Sequence, residues 1–434
     1  MTTATAAAYE YRAGSELPLY ALKRRKAQKQ RGFRAKTTYE HCIKDKVLID
    51  PACGSGNFLT ETYLSLRRLE NKVIADLIAL NKGKYGTQTE GQVRFGDTKG
   101  NNPIKVSISQ FYGIEINDFA VTVAKTALWI AESQTMQETE QVIHMNLDFL
   151  PLKTNASIHE GNALRMHWND IISKEELNYI MGNPPFSGGM MMNRAQKADI
   201  VAVLGNVKGV GELDYVSGWY KKAADFIKNT SIRCSFVSTN SICQGQQATT
   251  LWKPLYHEGN IRIDFAYQTF IWDSEVKEKA KVHCIIIGFS NNKSKGIQKK
   301  IFDSSGVPKK VENINQYLCD APIIFITSRT KPLCNVPPIH FGSMPRDGGG
   351  FSLTEEERNK FILEEPVSSK WIHPYVGAYE FINNKSRWCL WLKGANPCEL
   401  RQCPLVMKRI EFVKKFRKNS IAAGTYEDVS TAGR

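Results

Sequence analysis

The sequence predicts an α/β fold with a mostly parallel sheet, followed by the start of a second domain. From Val47 onward, short apolar runs typical of buried strands alternate with segments of helical periodicity. This alternation is the pattern of a parallel sheet covered by helices. The length of 434 residues exceeds one typical domain. A loop-rich boundary is indicated after about residue 330 by Pro332, Pro337, Pro338, Pro345 and Gly348 to Gly350.

The predicted elements follow one another as strand, turn and helix. Strands are predicted at residues 47–50, 111–115, 178–181, 234–238, 261–267 and 282–289. Helices are predicted at residues 58–69, from Asp118 as the N-cap to residue 130, at 215–227 and at 249–256. One side of the second helix is predicted to carry Phe119, Ala120, Val123, Ala127, Leu128 and Ile130. Because ligands of such sheets bind beyond the carboxyl ends of the strands, functional residues are expected in the loops at that edge.

The composition is that of a folded protein without a membrane anchor. Hydrophobic residues make up 42% of the chain and charged residues 23%. No stretch approaches the roughly 20 apolar residues of a membrane span, and residues 1–8 lack the apolar core of a secretory signal. The ten cysteines include no short Cys-x-x-Cys pair, which favours buried thiols over a zinc site. We expect a cytoplasmic protein with no membrane partner and no bound metal.

The charge of the chain is strongly basic and unevenly distributed. Lysine and arginine number 58 against 43 acidic residues, for a net charge of +15. One acid-free cluster runs from Lys23 to Lys36, and a second runs from Lys408 to Lys418 with Glu411 as its one acid. Such clusters suit a polyanion such as nucleic acid, but each is equally compatible with a solvated helix face. The charge alone therefore does not decide the function.

The first group of residues with a chemical role lies at a predicted strand-to-helix turn. It consists of Asp50, Pro51, Ala52, Cys53, Gly54, Ser55, Gly56, Asn57 and Phe58. The two glycines let the backbone turn tightly and approach a ligand closely. The turn lacks the Lys-Ser/Thr ending of a phosphate-binding P-loop and does not match Gly-x-Gly-x-x-Gly. These features favour a nucleoside-bearing ligand with little negative charge.

Glu115, at the end of the next predicted strand, is the candidate ribose-binding residue. A carboxylate in that place accepts hydrogen bonds from both ribose hydroxyls in related nucleotide-binding folds. The alternative is an ordinary surface acid at a strand end. The glycine turn upstream favours the ribose interpretation.

The third group, Asn183, Pro184, Pro185 and Phe186, follows a further predicted strand. An aromatic amine is a poor nucleophile because its lone pair is delocalised into the ring. The Asn183 side-chain carbonyl and the Pro184 backbone carbonyl are placed to accept both amine hydrogens. Pro185 stiffens the loop, and Phe186 offers a face on which a flipped base stacks. Catalysis in such a site is largely placement and polarisation. The alternative, a plain proline turn, is disfavoured by the two motifs upstream.

The segments DPACGSGNFL, YGIEIN and GNPPF, in this order, resemble motifs I, II and IV of amino-methylating DNA methyltransferases of the gamma arrangement. The resemblance is closest to the methyltransferase portion of type IIG/IIL restriction-modification enzymes of the MmeI kind. It implies a Rossmann-like class I fold that uses S-adenosylmethionine to methylate the N6 amine of a flipped adenine in double-stranded DNA. By the same resemblance, Asn162 in the segment GNAL lies near the cofactor adenine.

The resemblance also implies a domain organisation. Residues 1–45 form a basic N-terminal segment, residues 46–330 the methyltransferase domain, and residues 331–434 the start of a target recognition domain. The resemblance to a target recognition domain rests on the segments GSMPRDG, residues 342–348, and RWCLWL, residues 387–392. That domain is expected to continue past Arg434, in a missing C-terminal portion or in a separate chain.

Several alternatives to adenine methylation stay open at this point. N4-cytosine methylation more often shows serine at the position of Asn183, and Asn-Pro-Pro loops also serve RNA and protein-glutamine methyltransferases. An inactive, truncated remnant is a further alternative. Methylation of a cytosine ring carbon is excluded because it requires a thiol nucleophile. Asp264, Glu275 and Lys277 superficially fit a metal-dependent nuclease, but they lie inside the methyltransferase-like stretch.

Overall fold

The computed structural model describes residues 46–82, 104–143, 155–272, 282–291, 297–327, 329, 331–338, 342 and 345–420. The basic cluster from Lys23 to Lys36 lies outside these residues. The chain divides into two compact units, residues 1–328 and 329–434. None of the helices within the described ranges combines the length and the apolar character needed to cross a membrane.

Within the described residues, the first unit contains one nine-stranded sheet. Its strands are β1 (Val47–Asp50), β2 (Phe111–Glu115), β3 (Ser157–Glu160), β4 (Leu177–Gly182), β5 (Arg233–Thr239), β6 (Ile261–Trp272), β7 (Val282–Asn291), β8 (Lys299–Phe302) and β9 (Pro308–Val311). The strand order is β3-β2-β1-β4-β5-β7-β6-β8-β9. The strands from β3 to β5 are parallel, while β7 is antiparallel to both of its neighbours. The mostly parallel α/β sheet predicted from the sequence is confirmed.

Helices cover both faces of this sheet. They are α1 (Asn57–Lys82), α2 (Asp118–Ile143), α3 (Arg194–Leu204), α4 (Ser217–Phe226) and α5 (Gly245–His257). Side chains alternate along a strand, so Leu48 packs in the core beneath α1 and α2, whereas its neighbour Ile49 packs in the core on the side of α4. Both are fully buried, and each such side chain contributes about 1.5–3 kcal/mol on burial.

The buried face of α2 differs from the predicted one. Val121, Ala124 and Leu128 are buried at helical spacing, whereas Phe119 is 74% exposed. The predicted N-cap is also wrong by one residue, because the Asn117 side chain accepts the N–H of Ala120 at 3.0 Å. The positions of the large apolar residues along α2 did not show which side faces the sheet, because small alanines fill the contact with α1 and β2.

The strand order fixes where a ligand site lies. The chain runs outward from β1 through β2 to β3 and then returns to β4 on the other side of β1. The carboxyl ends of β1 and β4 therefore flank the topological switch point, where the loops diverge and leave a crevice. The glycine turn follows β1 and the Asn-Pro-Pro-Phe loop follows β4, so both predicted motifs border this crevice.

The second unit has its own small sheet and core. Its described strands are β10 (Ser352–Leu353), β11 (Ile372–Pro374) and β12 (Trp388–Leu390), in the antiparallel order β10-β12-β11. Its helices are α6 (Glu355–Glu364), α7 (Ala378–Asn383), α8 (Pro397–Leu400) and α9 (Pro404–Lys418). The core comprises Phe351, Leu353, Phe361, Trp371, Ile372, Leu390, Leu392, Leu400, Cys403, Val406, Ile410 and Val413.

The basic cluster on α9 separates into structural and exposed residues. Arg417 is buried and donates to the carbonyls of Pro345 and Arg346, while Arg409 pairs with Glu357 at 3.1 Å. The exposed members are Lys408, Lys414, Lys415 and Lys418. Two of the six basic side chains therefore hold the unit together, and four lysines remain at the surface.

Candidate functional site

The glycine turn is held in place by backbone contacts to β2. The Cys53 N–H donates to the carbonyl of Ile114 at 3.1 Å, and the Gly54 N–H donates to Glu115 Oε2 at 2.9 Å. Gly56 has a φ of +82°, and a Cβ there would lie 2.9 Å from Ala124 Cβ. Glycine is therefore required at this position both by conformation and by the close approach of α2. Apart from Gly54 and its two chain neighbours, no atom of the described residues lies within 4 Å of the place where a Cβ on Gly54 would stand, so this side of the turn is open to a ligand.

Glu115 lies at the carboxyl end of β2 with its carboxylate beside the glycine turn. Its Oε1 accepts the N–H of Asn117 at 3.0 Å, in addition to the Gly54 contact on Oε2. A carboxylate has about four acceptor positions, so two remain for further donors. Next to it, the side chain of Ile116 is 67% exposed. The sequence interpretation had not singled out this apolar surface beside the carboxylate.

Asp50, the last residue of β1, is buried and faces β4. Its Oδ1 accepts the N–H of Ala52 at 2.9 Å, and a Cβ on Gly182 would lie 2.4 Å from the same oxygen. Burial raises the pKa of Asp50 to about 7; the Ala52 hydrogen bond opposes this rise and the charge of Glu115 adds to it. This carboxyl therefore changes charge near neutral pH.

We expect Asp50→Asn to change how stability depends on pH. The folded protein binds more protons than the unfolded chain between the ordinary pKa of 3.8 and about 7, so the free energy of unfolding falls as pH rises through this window. Asp50→Asn should lack this fall. Above about pH 7, its free energy of unfolding should exceed that of the wild type by up to roughly 4 kcal/mol. Urea unfolding from pH 4 to 8 measures the difference. Asp225→Asn, at an exposed aspartate, is the control; parallel curves for Asp50→Asn and wild type would contradict the prediction.

The Asn-Pro-Pro-Phe loop leaves β4 at the edge of the crevice. Asn183 is half-buried, and within the described part of the chain its Oδ1 atom is buried without a hydrogen-bond partner. A buried polar atom is normally paired, so an exception needs an explanation. Pro184 is buried and Pro185 exposed, while Phe186 packs by one side against a core cluster that includes Val237. The loop thus presents a fixed acceptor and a partly exposed aromatic ring together.

Asn162 follows β3, beside the end of β2. Its Oδ1 accepts the Leu164 N–H and its Nδ2 donates to Asp199 Oδ2, both at 2.9 Å. The Gly161 N–H donates to the carbonyl of Glu115 at 2.8 Å, which joins this turn to the strand end that carries Glu115. The three sequence motifs and Asn162 therefore line adjacent strand ends at one edge of the sheet.

The structure also places Cys53 and Asp264, two residues that the sequence offered for other reactions. Cys53 is buried, and burial raises the pKa of its thiol well above the usual value, so it is a packed residue and not a thiolate nucleophile. Asp264 is buried in β6 and pairs with Arg262 at 3.0 Å; Glu275 and Lys277 lie outside the described residues. Among the described residues, no group of three His, Cys, Asp or Glu side chains is placed to hold a metal ion.

Three residues that the sequence patterns did not reveal, Trp219, Tyr215 and Asp199, hold the candidate site in place. Trp219, on α4, donates from Nε1 to the carbonyl of Pro51 at 3.0 Å. Tyr215 donates from its hydroxyl to Asp199 at 2.9 Å, and its backbone N–H donates to the carbonyl of Ser187 at 2.8 Å. No local motif marks these residues, since their partners lie far away in the chain.

Comparisons with known proteins agree with this geometry. Residues 24–303 match the family model described as the MmeI DNA-methyltransferase domain. The chain belongs to the MmeI family. Residues 320–434 match the model of the MmeI target recognition domain. The resemblance found in the motifs is thus confirmed, and so are the Rossmann-like class I methyltransferase fold, the second domain that follows it and S-adenosylmethionine as the methyl donor of this type of domain.

Two similar proteins illustrate the extent of the similarity. DNA methyltransferase A of Bacillus subtilis (strain 168) is 39% identical over 379 residues, which are 87% of this chain and 41% of that protein. The structure of the type IIL restriction-modification enzyme MmeI in complex with DNA matches with a TM-score of 0.78 and 39% identity, over 93% of this chain and 52% of that one. The chain thus spans about half the length of these relatives.

Proposed function

We propose that this chain transfers a methyl group from S-adenosylmethionine to the N6 amine of a flipped adenine in double-stranded DNA. The observation that carries the proposal is the buried Oδ1 of Asn183 at the carboxyl end of β4, which has no hydrogen-bond partner among the residues that the structure describes. It lies in the loop across the switch point from the glycine turn after β1. A cofactor held at one strand end and an amine held at the next would bring donor and acceptor together.

In this proposal the loop after β4 acts on the amine. Asn183 Oδ1 accepts one N6 hydrogen and the carbonyl of Pro184 accepts the other, which draws the nitrogen lone pair out of conjugation and toward the methyl group. The extrahelical base stacks on the exposed side of Phe186, and Pro185 limits the motion of the loop. The nitrogen–methyl bond forms as the bond between the methyl carbon and sulfur breaks, S-adenosylhomocysteine leaves, and the nitrogen gives up one proton to water, so no covalent enzyme intermediate is required.

The residues around the crevice fit the cofactor. We assign its ribose hydroxyls to Glu115, whose carboxylate has free acceptor positions, and its adenine to the surface formed by Ile116 and Asn162. The open side of the turn from Pro51 to Phe58 adjoins its methionine portion, above the buried Asp50. When bound, the cofactor supplies an electrophilic methyl group on a sulfonium; the protein holds and orients it.

The second unit is the proposed DNA-reading part. The exposed lysines Lys408, Lys414, Lys415 and Lys418 supply positive charge for phosphates. We place the protein in the cytoplasm, in a restriction-modification or host-DNA-protection system, as the description of MmeI as a type IIL restriction-modification enzyme suggests. Whether a further recognition portion takes part is tested by adding longer relatives' C-terminal segments in trans.

The decisive experiment is methyl transfer from labelled S-adenosylmethionine to mixed-sequence duplex DNA, with RNA and protein acceptors in parallel. After digestion of the DNA, we expect the label in N6-methyladenine. Label in N4-methylcytosine, in RNA or in glutamine would replace the proposed acceptor with one of the alternatives. Cofactor binding without transfer to any acceptor, also after longer relatives' C-terminal segments are added in trans, would show an inactive remnant and contradict the proposal.

Glu115→Ala is expected to weaken cofactor binding about 10–100-fold, because hydrogen bonds to a charged group contribute roughly 1.5–3 kcal/mol. Calorimetry with S-adenosylhomocysteine gives the dissociation constant. Glu160→Ala is the matched control, since Glu160 is exposed and lies opposite Glu115 in the β2–β3 register. Equal affinities of the two variants would place the ribose contact elsewhere. Thermal unfolding without ligand reports any loss from the Gly54 and Asn117 contacts.

A further inference from the structure

Asp199, on α3, is a buried carboxylate at the centre of a hydrogen-bond network behind the crevice. It is 4% exposed and accepts three donors: Asn162 Nδ2 at 2.9 Å, the Tyr215 hydroxyl at 2.9 Å and Arg165 Nε at 2.6 Å. Burial alone would raise the pKa of Asp199, but these donors hold it below its usual value. The side chain is therefore ionised at neutral pH and has little surface from which to touch a ligand.

The contact to Asn162 leaves that amide with one orientation. Its carbonyl oxygen accepts the backbone N–H of Leu164, and one of its N–H groups points to Asp199. Asn162 is half-buried, so part of this fixed side chain is left for a ligand. An amide fixed in this way has a defined polar edge, as an adenine ring also has.

Tyr215 connects this network to the loop that carries Asn183. Its hydroxyl donates to Asp199, while its backbone N–H donates to the carbonyl of Ser187, directly after Phe186. The same segment also contacts the glycine turn. The Trp219 ring packs edge-on against the Tyr215 ring with their centroids 5.2 Å apart, and Trp219 Nε1 donates to the carbonyl of Pro51. One short segment thus contacts all three parts of the site.

We infer that Asp199 is a positioning residue, which orients the Asn162 amide toward the adenine of the cofactor and, through Tyr215, ties that amide to the loop of Asn183. The inference rests on the proposed function, since it takes Asn162 as part of the cofactor site. Arg165 plays a lesser part in it, because its side chain is 60% exposed and surface ion pairs contribute little.

The test is a double-mutant cycle measured as affinity for S-adenosylhomocysteine in the full chain. Asp199→Asn replaces one acceptor oxygen with a donor that opposes its neighbours, and we expect about tenfold weaker binding, the effect of one typical hydrogen bond. Asn162→Ala is expected to weaken binding by a similar factor. If Asp199 acts through Asn162, adding Asp199→Asn to Asn162→Ala should weaken binding less than twofold further.

A merely structural role of Asp199 gives a different pattern. Fully multiplicative effects of the two substitutions, or unchanged affinity in a destabilised Asp199→Asn, would overturn the inference. Tyr215→Phe removes one donor and keeps the ring and the backbone N–H, so it provides a milder variant, expected about threefold weaker. Asp225→Asn, at an exposed aspartate paired with Lys221, is the matched control. Failure of the wild type to bind the ligand would instead overturn the proposed function, and the inference with it.

Discussion

Asn183→Ala should lower the rate of methyl transfer by at least about 10²-fold while leaving the protein folded. The substitution removes an acceptor that lies ready for developing positive charge on the amine. Loss of one preorganised hydrogen-bonding group of this kind costs about 10²–10³-fold in kcat. In the variant the adenine still binds, but the lone pair of its amine nitrogen stays conjugated with the ring.

The expected stability of this variant has a structural reason. Asn183 Oδ1 makes no hydrogen bond to other described residues, so truncation breaks no intramolecular contact of that atom and removes a buried polar group. We therefore expect an unfolding midpoint equal to or above that of the wild type. Activity lost together with stability would point to a packing role in place of a catalytic one.

Single-turnover kinetics on duplex DNA separates the chemical step from binding. The matched control is Asn169→Ala, which truncates an exposed asparagine in the connection between β3 and β4, and its rate should match the wild type within about twofold. Turnover of Asn183→Ala at the control rate would remove Asn183 from the mechanism. A fall in cofactor affinity with unchanged kcat would move this residue to the cofactor side of the crevice.

The parts of the site that the sequence predicted are those with local chemistry. Asp50 ends β1, Gly56 lies in the turn that follows it, and Asn183 directly follows β4, so the change from an apolar run to a polar or glycine residue is visible within a few positions. Because parallel strands end at the same edge, predicting the strands already places these residues near one another. The alternation of elements was enough to predict the sheet, although not β3, α3 or the edge strands β8 and β9.

The rest depends on long-range contacts that leave no local pattern. Asp199 lies 37 residues from Asn162 and 16 from Tyr215, in a helix with weak apolar periodicity. The face of α2 was predicted wrongly because large apolar residues such as Phe119 are exposed and alanine packs against α1. A buried carboxylate with three donors is also invisible in a sequence, since its partners are set only when α3 packs against the turn after β3.

Gly182→Ala should strongly disturb the crevice, because Gly182 ends β4 directly beside Asp50 at the end of β1. An added Cβ would lie 2.4 Å from Asp50 Oδ1 and 3.1 Å from its Cγ. Both residues are buried, so either the carboxyl rotates or β4 moves away from β1. Overpacking of this kind lowers the free energy of unfolding by about 1–3 kcal/mol, and displacement of Asn183 should cost at least a further 10²-fold in rate.

Urea unfolding and methyl-transfer kinetics on the same samples measure the two effects. Gly211→Ala is the matched control, since no atom of the described residues beyond its own chain neighbours lies within 4 Å of the added Cβ. In an Asp50→Ala background the clash is absent, so Gly182→Ala should then destabilise by less, with a coupling of about 1 kcal/mol or more between the two positions. Additive effects would mean that the added methyl group acts on the backbone of β4 and not on Asp50. Coupled effects would mean that one contact positions both the Asp50 carboxyl and the loop after β4. The absence of a side chain at Gly182 would then set the distance between the methyl donor and the amine.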